Sequence, residues 1–348
     1  MFDLEKILRE NIKKLVPYSS ARDEYKGKRG IFLDANENTF GSPLKENYNR
    51  YPDPLQLDVK SKLSKIKGLP IENIFLGNGS DEAIDILFRA FCNPGKDNVI
   101  ICPPTYGMYE VSANINDVEI RKINLLANFE LNLDSIKAAI DENTKLIFVC
   151  SPNNPTGNSI RREDIELLLN NFKGIVVVDE AYINFAKQKT FIAELTQYPN
   201  LVILQTLSKA WGMAGLRVGM AYASEQIIDI FNKIKPPYNI NVASQKLALE
   251  ALENVEKVNE WIKEIVSERK KLSSEIEKLP FALNVYPSDA NFILVKTTDA
   301  KRIYTYLTDN EIVIRDRSKV ALCEGCLRFT IGTKEENKQV IEKLKQYK

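Results

Sequence analysis

The 348-residue chain contains no histidine. That absence removes Ser-His-Asp hydrolysis, His-ligated zinc catalysis and imidazole acid–base chemistry. Cysteine is scarce: five residues, an odd number. Cys92, Cys102 and Cys150 lie in or beside apolar segments and read as small buried hydrophobes. Cys323 and Cys326 form a CEGC stretch with redox or half-zinc spacing, but no second CxxC accompanies it. A turn ahead of the strand-like CLRFTIG is the simpler reading, and no metal is expected. Neither sign of charge is in excess, with 48 basic against 47 acidic residues, so bulk charge calls for neither nucleic acid nor an anionic membrane. No apolar run approaches the ~20 residues of a bilayer span, and the charged start MFDLEKILRENIKKL does not read as a signal peptide. A cytoplasmic protein is expected. Its chemistry must come from Lys, Tyr, Asp, Glu, Cys, backbone groups or a cofactor.

What is present is an alternation. Short β-rich runs (NVIICP, VEIRKI, KLIFVCSP, GIVVVDE, NLVILQT) are spaced by helical patterns such as the amphipathic REDIELLLNNF. This is βαβ spacing, and strands apolar on both sides belong in a parallel sheet covered by helices. Upstream, LGNGSDEAIDILFRAF joins a glycine-rich turn to a helix whose apolar face is Ile84, Leu87, Phe88 and Phe91. After KPPYN the pattern changes. Residues 241–279 read as two helices or one bent one, followed by strands in ANFILVK, EIVIRD and CLRFTIG and helices at 299–309 and 334–346. The expected architecture is α/β: a large domain over 45–238 with a mostly parallel central sheet, and a smaller α+β domain from 239–348 joined by the N-terminal segment 1–44.

Three successive strands end in polar residues, SPNNPTG, DEAY and TLSKAWG, and ligands of open α/β sheets gather outside such carboxyl ends. Gly79-Ser80-Asp81 opens a helix whose free N–H groups suit a phosphate, although alone it is an ordinary cap; GNGSDE is neither GxGxxG nor Walker A. Thr206, Ser208 and Arg217 offer two hydroxyls and a guanidinium for the same group. Lys209, alone a surface lysine, could form a Schiff base with an aldehyde if its surroundings lower its pKa. Asp179 could hold a pyridine nitrogen protonated, Tyr182 and Asn154 could bond a ring oxygen, and Tyr106 could stack on the ring. Together these describe pyridoxal 5'-phosphate better than any other cofactor.

NPTG (154–157), DEAY (179–182), the Ser-Lys pair at 208–209 with Arg217 eight residues on, and GLRVG (215–219) resemble the fold-type I aminotransferases of the aspartate aminotransferase superfamily. PYSSAR (17–22), LDANENTFG (33–41), NRYPDP (49–54), GNGSDEAID (77–85), CPPTYGMY (102–109), IRDRS (314–318) and CLRFTIG (326–332) narrow the resemblance to the histidinol-phosphate aminotransferase family, from about residue 10 to the C-terminus. Trp211 is a departure, since other aromatic or small residues are common there. The resemblance implies that Lys209 binds the cofactor and moves a proton between substrate Cα and cofactor C4'. Asp179 would bond the pyridine nitrogen, Tyr182 and Asn154 the 3'-oxygen, and Tyr106 would stack. Ser80, Asp81, Thr206 or Ser208, Arg217 and a Tyr51 from the partner subunit would hold the phosphate. Arg328, assisted by Arg315 and Tyr18 and near Asn36, would receive substrate phosphate or carboxylate. A homodimer with shared active sites is implied, as is exchange of an amino group between glutamate and imidazole acetol phosphate in histidine synthesis. The cofactor-site residues do not separate this from a sibling aminotransferase for aromatic amino acids or a threonine-phosphate decarboxylase.

Overall fold

The computed structural model describes residues 2–18 and 30–347. The larger of two sheets contains β1 (Ile74–Asn78), β2 (Asn98–Ile101), β3 (Glu119–Lys122), β4 (Thr144–Cys150), β5 (Ile175–Asp179), β6 (Leu201–Thr206) and β7 (Val218–Tyr222), in the order β1-β7-β6-β5-β4-β2-β3. Strands β3, β2, β4, β5 and β6 are mutually parallel, while β7 is antiparallel to both β6 and β1. Strand β1 therefore points the same way as the parallel set, and its carboxyl end opens on the same edge.

The β-branched run of β5 explains its place at the centre. Ile175 and Val177 join the core on one face of the sheet, Val176 and Val178 the core on the other. On the first face lie the helices Ser80–Phe91 and Glu225–Ile234. The stripe Ile84, Leu87, Phe88 and Phe91 is wholly buried there, as the sequence period requires. The helix Arg162–Asn171 covers the second face through Ile165, Leu168 and Leu169.

The smaller sheet is antiparallel: β8 (Ala282–Val285), β9 (Phe292–Thr297), β10 (Arg315–Asp316) and β11 (Cys326–Thr330), ordered β10-β11-β9-β8. Its own core takes Leu272 and Ile276 from Val255–Glu277, Ile303 and Leu307 from Ala300–Asp309, and Ile341 and Leu344 from Lys334–Gln346. The stretch 241–279 is two helices, Val242–Leu252 and Val255–Glu277. Of EIVIRD only Arg315–Asp316 pairs as strand. Among the described residues no helix is long and apolar enough to cross a membrane.

One close approach sets the geometry at the edge of the large sheet. The register pairs Gly77 with Gly219, and the Gly79 amide donates to the Arg217 carbonyl at 2.7 Å. A Cβ on Gly219 would lie 2.1 Å from the Ser80 nitrogen and 2.3 Å from the Gly79 carbonyl carbon. Only glycine lets β7 pass this close to the turn that starts the helix Ser80–Phe91. The obstacle is backbone, so a side chain cannot swing aside. Gly219→Ala is expected to destabilise the protein by about 1–3 kcal/mol or more, as for an overpacked core. Urea unfolding that leaves the midpoint of the variant unchanged would show that the contact has slack.

Candidate active site

The register couples Cys150 to Asp179 and Asp179 to Leu204, so β4, β5 and β6 end level with one another. The loops that leave them, with the turn after β1, enclose a cavity of about 140 Å³. Ser80 and Asp81 line it from the helix start, Tyr106 from the loop after β2, Asn154 from the loop after β4, Asp179 and Tyr182 from β5, and Thr206, Ser208, Lys209 and Arg217 from the β6–β7 connection. Ten positions predicted from the sequence thus share one cavity.

Asp179 is its deepest charge, only 3% exposed. The Tyr109 hydroxyl donates to Oδ2 at 2.6 Å and the Ala181 amide to Oδ1 at 3.0 Å. Burial pushes the Asp179 carboxyl above its usual range, and these two bonds pull it partly back. No cation is hydrogen-bonded to it among the described residues. Tyr109 was not singled out from the sequence. It is fully buried and stacked on Phe148 with centroids 4.7 Å apart, and burial drives its phenol well up, so it stays a donor. The signal available was its spacing, one helical turn beyond Tyr106 in CPPTYGMY.

Lys209 points its Nζ toward the Tyr182 ring, 5.6 Å from the centroid. Desolvation lowers its pKa, the charge of Arg328 adds to that, and Asp179 and Asp81 oppose it. The neutral amine, which is the nucleophilic form, is thereby favoured. Tyr182 is buried edge-on against Phe292, and burial raises its phenol. Asn154 accepts from Arg328 Nη1 through Oδ1, while the Arg328 guanidinium lies 5.0 Å over the Phe292 ring.

Opposite lies an anion cradle. The Thr206 hydroxyl donates to Ser208 Oγ at 2.9 Å and accepts from the Ser208 amide at 3.0 Å. The N-terminus of the helix Ser80–Phe91 faces the same space, with Gly79 at a φ of 77° as its cap. Arg217, itself left-handed with a φ of 55°, reaches Asp81 Oδ2 with Nη2 at 3.4 Å, and Tyr106 donates to Asp81 Oδ1 at 3.2 Å. A side chain on Gly79 would meet that Nη2 at 2.6 Å.

Four predicted positions lie elsewhere. Asn36 and Tyr51 border a separate depression with Arg50 and Asn241, where Tyr51 stacks on Tyr238 at 4.4 Å. Glu37 pins this segment, accepting from Arg50 Nη1 and the Tyr51 amide at 2.6 Å each. Tyr18 is 71% exposed, and Ser19–Arg22 of the PYSSAR stretch fall outside the described residues. Arg315 pairs with Arg328 across β10 and β11 and is exposed. Arg317, two residues on, was not predicted. Cys323 and Cys326 are buried and hydrogen-bonded to each other in a tight turn.

The raised Asp179 pKa carries a pH consequence. A carboxyl with its folded pKa above its unfolded one contributes stability at low pH that is lost as pH rises through the folded value. In the cofactor-free protein, Asp179→Asn is expected to gain stability relative to wild type as pH climbs above about 4, the ordinary carboxylate pKa. Chemical denaturation across that range is the check, and a pH-independent difference between the two proteins would contradict it.

Residues 32–344 match the family model for aminotransferase class I and II. Over 346 residues, 99% of each chain, the sequence is 58% identical to a histidinol-phosphate aminotransferase of Cytophaga hutchinsonii. The structure of the histidinol-phosphate aminotransferase from Clostridium acetobutylicum superposes with a TM-score of 0.78 at 26% identity, covering 86% of this chain and 90% of that one. That from Sinorhizobium meliloti, solved with pyridoxal-5'-phosphate, gives 0.79 at 22% identity over 97% and 98%. The chain belongs to the class I and II aminotransferases and, within them, to the histidinol-phosphate aminotransferase family.

Proposed function

We infer that this chain transfers an amino group reversibly between L-histidinol phosphate and 2-oxoglutarate, giving imidazole acetol phosphate and L-glutamate, with pyridoxal 5'-phosphate as cofactor. The observation that carries the reading is full-length similarity, at 58% identity, to a protein of that name, in a chain whose strand ends gather the required groups. The residues present fit the cofactor on chemical grounds. A buried carboxylate without a bonded cation suits a protonated ring nitrogen, the hydroxyl, guanidinium and helix-terminus cradle suits a phosphate, and Lys209 with a lowered pKa suits an aldehyde.

When bound, the cofactor supplies an electron sink and carries the amino group between the two donors. In this reading Asp179, oriented by Tyr109, holds the proton on the ring nitrogen. Tyr182 and Asn154 direct hydrogen bonds to the 3'-oxygen, and Tyr106 covers one ring face. Ser80, Asp81, Thr206, Ser208 and Arg217 fix the phosphate. Lys209 would hold the cofactor's aldehyde end and would move a proton at the substrate Cα. Arg328, with Arg315, Tyr18 and Asn36, binds the anionic end of each substrate in turn, carboxylate then phosphate.

A homodimer belongs to the same proposal, with Tyr51 entering the partner's phosphate site. Its separation from the cavity within one chain supports this, as does an exposed apolar run of Ile31, Leu33 and Phe40. Five free cysteines are in keeping with a cytoplasmic setting. We also place the domain division at 45–238 against 1–44 with 239–348.

The protein loaded with pyridoxal phosphate is expected to make histidinol phosphate from glutamate and imidazole acetol phosphate, and to leave O-phosphothreonine undecarboxylated. Absence of glutamate-dependent transamination would refute the reading. Lys209→Ala should lose the visible absorbance of lysine-bound cofactor, and turnover should fall by about 10²–10⁴-fold or more.

A further inference from the structure

Three arginines meet at the edge of the small sheet. Arg315 on β10 is paired with Arg328 on β11, and the Arg317 amide donates to the Cys326 carbonyl at 2.9 Å, continuing the same ladder. With a side-chain period of two, residues 315 and 317 fall on one face, together with 326 and 328 across from them. Arg317 therefore stands beside Arg328, on the side from which Arg328 reaches Asn154 of the cavity wall.

These groups are poorly satisfied. Among the described residues, the Nε of Arg317, the Nε of Arg328 and the Ser318 hydroxyl are all shut away from solvent without a hydrogen-bond partner. Among the described residues no carboxylate forms an ion pair with Arg315, Arg317 or Arg328. The intervening Asp316 lies on the other face by the same period, and its Oδ1 accepts from the Ser318 amide at 2.8 Å. The like charges act on one another. After burial, Arg315 depresses Arg317, and Arg317 helps pull Arg328 down to about 10. Arg317 is also near enough to act on the phenol of Tyr182.

Unpaired cations and orphaned donors at one spot call for an anion with more oxygens than a carboxylate has. One bidentate guanidinium satisfies a carboxylate. A phosphate monoester carries three terminal oxygens and nearly two charges, leaving acceptors for a second arginine. We propose that Arg317 is the specificity-determining residue for the phosphorylated substrate: its Nε, with the Ser318 hydroxyl, binds the phosphate of histidinol phosphate alongside Arg328, a contact that glutamate does not use. This rests on the activity inferred above.

The test uses the loaded enzyme and its two amino donors separately. Arg317→Gln is expected to raise KM for histidinol phosphate by about tenfold or more, while kcat and the KM for glutamate stay within about twofold. Arg317→Lys should recover part of the loss. Inorganic phosphate should inhibit the glutamate reaction of wild type more strongly than that of Arg317→Gln. Equal rises in both KM values, or no rise in either, would overturn the proposal, as would phosphate inhibition unchanged by the substitution. A wild type that uses glutamate but not histidinol phosphate would instead overturn the functional reading, and phosphate inhibition would still judge the role of Arg317. If Arg317→Gln does not fold, Arg317→Lys carries the same comparison.

Discussion

The structure turns on a carboxylate at the end of β5. Asp179 and Glu180 are adjacent, both buried, and sit at the end of a strand whose side chains alternate. Glu180 is satisfied within the protein: the Thr190 hydroxyl, the Phe191 amide and the Gln205 amide donate to it, and Lys67 bonds Gln205 behind them. Among the described residues Asp179 has only the Tyr109 hydroxyl and the Ala181 amide. A buried carboxylate with two neutral donors and no cation is an unfinished ion pair. The sheet holds it at the floor of the cavity, and in the proposed function the ring nitrogen would bring the positive charge it lacks.

The remaining charge is arranged around that point. Positive groups lie in two places: Arg217 and a helix N-terminus line the cavity, and Arg328, with Arg317 and Arg315 beside it on the small sheet, adjoins the cavity wall through Asn154. Between them, desolvation and then the charge of Arg328 lower the pKa of Lys209, so the arginines of the small sheet also act on this amine. In the proposed function a single anion pocket would serve both halves of a ping-pong exchange, because arginine accepts carboxylate and phosphate alike. Discrimination then depends on what else surrounds the anion, and there Arg317 and Ser318 are unspent donors.

Much of this was legible because it lay at strand ends. The runs that form β4, β5 and β6 are apolar on both faces and stop in polar residues, so the sequence itself marks that edge. Strand β7 was not read: VGMAY follows the cradle directly, with a glycine inside it that exists for a contact with Gly79 and Ser80. Strand β8, ALNV, is half-exposed and carries an asparagine, too weak a signal at four residues. Tyr109 was not singled out, because its role is to touch Asp179, seventy residues on. Arg317 could not be separated from Arg315 without the β10–β11 register. If the proposed homodimer forms, the separation of Tyr51 and Asn36 from the cavity is a matter of assembly rather than of one chain's pattern.

Affinity of the cofactor-free protein for pyridoxal phosphate, compared between wild type and Asp179→Asn by equilibrium titration, measures whether Asp179 and the ring are partners. If the buried carboxylate is completed by the cationic ring, the variant binds more weakly by about tenfold or more, the scale of a hydrogen bond to a charged partner. Equal affinity in the two proteins would mean that Asp179 and the ring are not partners, and that the site is held together by its phosphate cradle alone.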